Sequence, residues 1–280
     1  MAILLATIAA LTYGIADYCG GRSSRTANST AVVFWAEASG LIIVIVLLPV
    51  LHDPFPHAGD VGWGLATAAS AAVGLVAFYR ALAGGAMTIV APVTAVVSAV
   101  IPVFVGLAQG ERPGAASLAG CAVAAVAIAL VSGAAAHPDV RPSRGTLVLA
   151  LVAGLGFAMV FVSLDATDPV SGLWPIAIAR VGSLPLIAGA GAVMGQSLRI
   201  PRSIWPLVVV GGLFDMTANV LYLLSTTHGL LAVVAVITAM YPVTTVCLAF
   251  ALDRERISAS QAMGLMLAVG ALGLVAVGQV

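Results

Sequence analysis

Ten apolar runs follow one another along the chain, separated by short polar breaks. They lie near residues 2–20, 30–50, 61–82, 86–108, 114–135, 145–164, 171–193, 203–226, 229–250 and 258–278. About 20 apolar residues in a helix cross the hydrocarbon core of a bilayer, so each run predicts one spanning helix. Unbroken apolar runs, without alternation of polar and apolar positions, argue against membrane strands. The breaks carry turn and charged residues, among them Gly20-Gly21-Arg22, Asp53-Pro54-Phe55-Pro56, Arg199-Ile200-Pro201-Arg202 and Asp253 to Arg256. None is long enough to form a soluble domain. The break from His137 to Arg144 divides the runs five and five, giving expected units of 1–138 and 139–280. The first run has no basic leader and no clear small-residue cleavage site, and is expected to stay as a span.

One stretch occurs twice. When Gly85–Gly120 is laid over Gly229–Gly264, identities include Val90/Val234, Thr94/Thr238, Glu111/Glu255, Arg112/Arg256 and Gly120/Gly264. Apolar matches are cheap in such a chain. The Glu-Arg pair is not, because only 8% of residues are charged and both copies fall in a hairpin between two apolar runs. Two similar units with an odd number of spans enter the membrane in opposite directions, related by a pseudo-two-fold axis in its plane. The expected fold is therefore an all-α membrane protein, with ten transmembrane helices arranged as two inverted five-helix repeats around a central cavity.

Composition agrees. The chain is 61% hydrophobic, against roughly half apolar and a quarter charged in soluble domains. Zero net charge points to no nucleic-acid partner, so the expected partners are the lipid bilayer, a small-molecule substrate and protons, in a monomer or a homodimer. Cys19, Cys121 and Cys247 are scattered singly and read as packing residues. If both termini lie outside, Arg22, Arg25, Arg141, Arg144, Arg199, Arg202, Arg254 and Arg256 lie on the cytoplasmic side with Arg80 close by, leaving Arg112 outside. The arginine distribution favours that orientation.

Ionisable residues at mid-bilayer are costly, and so mark function by default. Glu37, Arg180 and Asp215 sit near the middle of the second, seventh and eighth runs, and Asp17 lies deep in the first. Glu37 and Arg180 occupy nearly equivalent places in the two copies, so they are expected to face a common cavity and to pair. Asp215, Asn219 and Tyr222 follow at i, i+4 and i+7 and share a helix face. Sequence assigns Asp215 no cationic partner, so burial favours its neutral form and a role in sensing protons or binding a cation. Tyr13 shares a face with Asp17. Thr94 and Ser98 in the fourth run, with Thr238, Tyr241 and Thr245 in the ninth, offer hydroxyls in corresponding places, and Tyr79 matches Tyr222. The expected pathway is Asp17, Glu37, Tyr79, Thr94, Ser98, Arg180, Asp215, Asn219, Tyr222, Thr238 and Tyr241. Pro92, Pro102, Pro185 and Pro242 are expected to kink their spans. Gly154, Gly156, Gly264 and Gly270 are expected to permit close helix approach.

No His/Cys cluster, Ser/His/Asp arrangement, phosphate-cradling loop or dinucleotide motif appears, so no cofactor and no metal is expected. Ala91-Pro92, Pro102, Gly110-Glu111-Arg112-Pro113 and Gly120, then Ala235, Tyr241-Pro242, Glu255-Arg256 and Gly264, resemble two copies of the EamA module of the drug/metabolite transporter superfamily. Tyr79-Arg80-Ala81-Leu82 and Arg180 fit the same pattern, while Glu37 stands where the first module often carries Arg. The resemblance implies ten helices around a cavity, the fifth and tenth peripheral, and export or exchange of small metabolites by alternating access. Together these readings predict a secondary transporter in the cell membrane, specifically a bacterial inner membrane. An intramembrane enzyme acting on a lipid or lipid-linked substrate is the alternative, though such enzymes gather polar residues at one membrane face rather than at mid-depth in both repeats. An assembly scaffold, the third reading, predicts no water-filled cavity.

Overall fold

The computed structural model describes residues 1–83, 87–131, 143–253 and 257–278, except for the side chains at positions 79, 82, 83, 87–89, 91 and 92. Every regular element among them is helical: α1 (Ala2–Ser24), α2 (Ser29–Leu51), α3 (Ala58–Ala83), α4 (Met87–Ala108), α5 (Ala115–Val131), α6 (Arg144–Asp165), α7 (Trp174–Val193), α8 (Trp205–Thr226), α9 (Leu231–Thr238), α10 (Tyr241–Asp253) and α11 (Ala259–Val277). Short 3-10 turns at Pro169–Ser171 and Arg202–Ile204 lead into α7 and α8. Eight segments are long and apolar enough to cross a membrane, with α9 and α10 together counting as one, and α4 and α5 add two shorter apolar stretches. The chain is a multi-pass helical membrane protein. The boundary expected at 138/139, the second Glu255-Arg256 hairpin and the side chains of Tyr79 and Pro92 lie outside the described residues.

Helix starts follow local chemistry. The Asn28 side-chain oxygen accepts from Thr30 N at 2.9 Å, and Ser143 Oγ accepts from Thr146 N at 3.1 Å. Ser258 and Gln261 exchange side-chain and backbone hydrogen bonds in a capping box. The ninth run differs from expectation, because it breaks at Ala239-Met240 instead of forming one kinked helix. Pro242 has no N–H to return to the Thr238 carbonyl, and its ring crowds that turn. By contrast, α4 continues past Pro102 and α7 past Pro185.

Contacts Ala2–Gly229 and Gly114–Gly278 place the chain ends on one face of the bundle, called here the terminal face. The largest packing pairs map onto one another when the halves are exchanged, with α1 matched to α6, α2 to α7, α3 to α8, α4 to α9/α10 and α5 to α11. Thus α3–α6 matches α1–α8, α3–α7 matches α2–α8, and α4–α6 matches α1 against α9 and α10. The pairs α2–α7, α4–α9 and α5–α11 match themselves. Helix α11 packs chiefly on α5, at the periphery.

Small residues set the closest approaches. A methyl on Gly40 of α2 would lie 2.9 Å from the Gly212 carbonyl oxygen of α8. One on Gly264 of α11 would lie 2.8 Å from Val131 N, whereas Gly270 meets nothing within 4 Å and does not support the expected packing role. Gly40→Ala is therefore expected to destabilise the protein by about 1–3 kcal/mol, as overpacking does. Thermal unfolding in detergent should show a lower midpoint for Gly40→Ala and an unchanged one for Gly270→Ala.

Candidate functional site

Arg180 projects from α7 between two carboxylates on two other helices. Its side chain is 7% exposed. One guanidinium nitrogen pairs with Glu37 Oε1 on α2 and the other with Asp215 Oδ2 on α8. Ser183, one turn along α7, donates from Oγ to Glu37 Oε2 at 2.8 Å. Asn219 Nδ2, one turn along α8, donates to the Asp215 backbone oxygen at 2.8 Å and to Oδ2 at 3.3 Å. A guanidinium presents five donors in a planar fork and can hold two carboxylates at once, which an ammonium does poorly. The pairing of Glu37 with Arg180 is thus present. The reading that Asp215 has no cationic partner is corrected, since the same guanidinium serves both acids.

The carboxylates face inward yet are open to solvent. Glu37 is 19% and Asp215 29% exposed, and Asp17 on α1 is more open still. Nine residues along a helix turn through about 180°. Ile8, nine residues from Asp17, Val46, nine from Glu37, and Leu224, nine from Asp215, are all exposed apolar residues. Each acid therefore sits opposite the lipid-facing stripe of its own helix. Surface that is open there faces the interior of the bundle, away from the lipid side of each helix. Tyr13 feels the charges of Asp17, Asp215 and Arg180, so α1 brings its polar face to the same place. Across from it, Tyr241 on α10 meets the Tyr13 ring edge-on with centroids 6.3 Å apart.

Glu37, Arg180, Asp215 and Asn219 are thus joined in one cluster, and Tyr13 on α1 stands between Asp17, four residues on, and the Tyr241 ring. Of the other expected residues, the Tyr79 side chain lies outside the described residues, and the remaining four are buried. Thr94 Oγ1 donates to the Ala150 carbonyl of α6 at 3.2 Å, and Ser98 Oγ to its own Ala95 carbonyl at 2.9 Å. Tyr222 is fully buried and donates to the Phe161 carbonyl at 2.9 Å. These three hydroxyls are buried and satisfied by helix backbone rather than open like the acids, a correction to their placement on the path. Helical hydroxyls bond backbone carbonyls readily, so sharing a face with Asp215 did not decide where Tyr222 points. Thr238 is fully buried at the α9–α10 break, its hydroxyl unpartnered among the described residues. An open apolar groove of about 300 Å³ between α3 and α6, lined by Val73, Val152 and Leu155, holds no charged group and takes no part in the site.

Sequence reasoning missed Ser183, whose spacing of three from Arg180 was the available signal. It also missed the acids that tie the halves together on the terminal face. Asp53 Oδ2 accepts from Leu173 N at 3.0 Å. Asp60 accepts from Asp168 N at 2.9 Å and from Ser171 Oγ at 2.6 Å. Glu111, in the hairpin between α4 and α5, accepts from Leu231 N at 2.6 Å and Ala232 N at 2.9 Å, capping α9 of the other half. On the opposite face, Arg22 pairs with Asp253, which also accepts from the Tyr18 hydroxyl at 3.0 Å.

Residues 1–133 and 144–277 each match the model of the EamA-like transporter family. The fold is similar to that of a crystallised protein described only as "Crystal structure of protein", with a TM-score of 0.79 and 15% identity over 99% of this chain and 97% of that one. No curated protein matches the sequence.

Proposed function

Because the chain belongs to the EamA-like transporter family, we propose that it is a secondary transporter that exports or exchanges small organic metabolites across a bacterial inner membrane by alternating access. The observation that carries this reading is a cluster of charged side chains at mid-depth, drawn from α2, α7 and α8, turned away from lipid and still open to solvent, which on this reading line a central chamber between the halves. A scaffold would have little reason to keep so costly a set wet. The exchange of packing pairs between the halves supports two inverted repeats, the arrangement in which either side of a central site can open in turn.

The two halves of the ninth span differ in a way that fits one such state. Every residue of α9, on the terminal side, is buried, and none of α10 is. Together with the Glu111 cap, this closes the chamber toward the terminal face and opens it toward the opposite one. That opposite face carries Arg22, Arg25, Arg144, Arg199 and Arg202, against Arg112 on the terminal face, so it is cytoplasmic by the positive-inside rule. The state is then inward-facing, ready to load a solute for export.

Proton exchange is the proposed coupling, with a chamber carboxylate alternately charged and protonated. In proteoliposomes, solute efflux is expected to accelerate several-fold under an imposed pH gradient. Equal rates with and without the gradient would reject coupling while leaving transport in place, and absence of flux for every solute class tested would reject transport.

A further inference from the structure

Among the described residues the chamber holds three carboxylates and one guanidinium. Arg180 is committed to Glu37 and Asp215, and Ser183 and Asn219 complete their hydrogen bonding. Asp17 has no such arrangement. Among the described residues nothing donates a hydrogen bond to its carboxylate, and neither the Tyr13 nor the Tyr241 hydroxyl has a hydrogen-bond partner. Asp17 is open to solvent, and groups that water alone satisfies are available to a solute that replaces that water. Three such groups lie together on α1 and α10.

The kinds of group involved narrow the occupant. Asp17 and Tyr13 are four residues apart on the inner face of α1, and Tyr241 approaches across the α1–α10 contact with its ring edge-on to Tyr13. The charge of Asp17 is felt at both rings, and that of Asp215 at Asp17 itself. A carboxylate beside two phenol rings attracts a cation by its charge, and a ring adds to this where the cation reaches its face. It repels an anion. With all three acids ionised the chamber carries an excess of two negative charges, which Arg180 cannot balance.

We propose that Asp17, Tyr13 and Tyr241 form the recognition site for the ammonium group of an organic cation, with Arg180 holding the other two acids in place beside it. This rests on the transporter reading and names the substrate class for it. The solute is then an amine or quaternary ammonium compound whose charged head lies against Asp17 and whose remaining body occupies the chamber toward α8.

Calorimetric titration of the detergent-solubilised protein tests this with three probes of similar bulk: benzyltrimethylammonium, 3-phenylpropanol and benzenesulfonate. The cation is expected to bind at least tenfold more tightly than either of the others. Asp17→Asn should remove that preference, Asp17→Glu should retain most of it, and Tyr241→Leu should weaken cation binding by about threefold to tenfold, the size of a partly desolvated cation–π contact. Gel filtration and thermal unfolding establish that each variant is folded, and the charge-preserving Asp17→Glu variant separates loss of charge from loss of fold. Equal affinity for all three probes, preference for the sulfonate, or unchanged cation binding in folded Asp17→Asn overturns the proposal. Transport of neutral or anionic solutes in proteoliposomes alongside such a result leaves the transporter reading intact and removes only the ammonium site.

Discussion

Arg180→Ala is expected to abolish solute flux in proteoliposomes and to lower stability more than any other single substitution in the chamber. The side chain is nearly buried and bridges Glu37 and Asp215, so its removal leaves two facing carboxylates with no counter-charge. Breaking a buried pair by removing one partner costs about 3–5 kcal/mol, because the remaining charge is stranded. Chamber water reaches both acids here, which places the cost toward the lower end, about 3 kcal/mol. Asp215→Asn should be far milder, about 1 kcal/mol, since Arg180 keeps Glu37 and the amide oxygen can still accept a hydrogen bond. Arg180→Lys should fall between the two, as one ammonium cannot span both acids in the geometry of a fork. Thermal unfolding in detergent checks the stability order, and flux under one fixed gradient checks function. If Arg180→Ala unfolds no earlier than Asp215→Asn, the guanidinium is not the keystone of this cluster.

That cluster also shows what the sequence could and could not reveal. Glu37 and Arg180 were legible as partners because the repeat sets them at nearly equivalent positions, which an inverted pair of halves would bring together. The second contact of Arg180 was not legible from spacing, because nothing in the linear order says how far the guanidinium of α7 lies from α8. A count of charges gave the available hint, since three acids at depth against one base require that base to be shared or an acid to stand free. Both occur. Span positions were read within a few residues, since chain length in the bilayer fixes them, and the break at Ala239-Met240 was foreshadowed by Pro242 without its consequence being seen. Residues Thr94, Ser98 and Tyr222 were misplaced for a common reason: in an apolar helix a hydroxyl finds a carbonyl as readily as it finds water. The acids at the terminal face were least legible. Asp53, Asp60 and Glu111 sit in loops or at helix starts, where charge is ordinary, and only folding reveals that each reaches backbone N–H groups in the other half.

Glu111 gives the second large effect. Its carboxylate takes the N–H groups of Leu231 and Ala232, two of the donors that a helix start leaves without an intrahelical partner. Both lie where α9 is wholly buried, so no bulk water can replace the carboxylate. The hairpin is shaped for this: Glu111 N bonds the Gly106 carbonyl at 2.9 Å, and a methyl on Gly106 would overlap the Glu111 side chain. A hydrogen bond to a charged group contributes about 1.5–3 kcal/mol. Because about 1.4 kcal/mol changes an equilibrium tenfold, losing the cap should raise the population open toward the terminal face by roughly tenfold to a hundredfold. Val234→Cys places a thiol at a fully buried position on α9, where a membrane-impermeant maleimide added from the terminal side should react slowly. Adding Glu111→Ala is expected to speed that reaction at least tenfold, Glu111→Gln by less because its amide offers one acceptor oxygen, and Gly106→Ala in the same direction as Glu111→Ala. Flux should change in kind as well as in rate. Downhill movement persists while uphill accumulation is lost, because a carrier that cannot keep its terminal side shut leaks. Equal labelling of Val234→Cys with and without the Glu111 carboxylate, together with intact accumulation, would mean that α9 is held closed by packing alone.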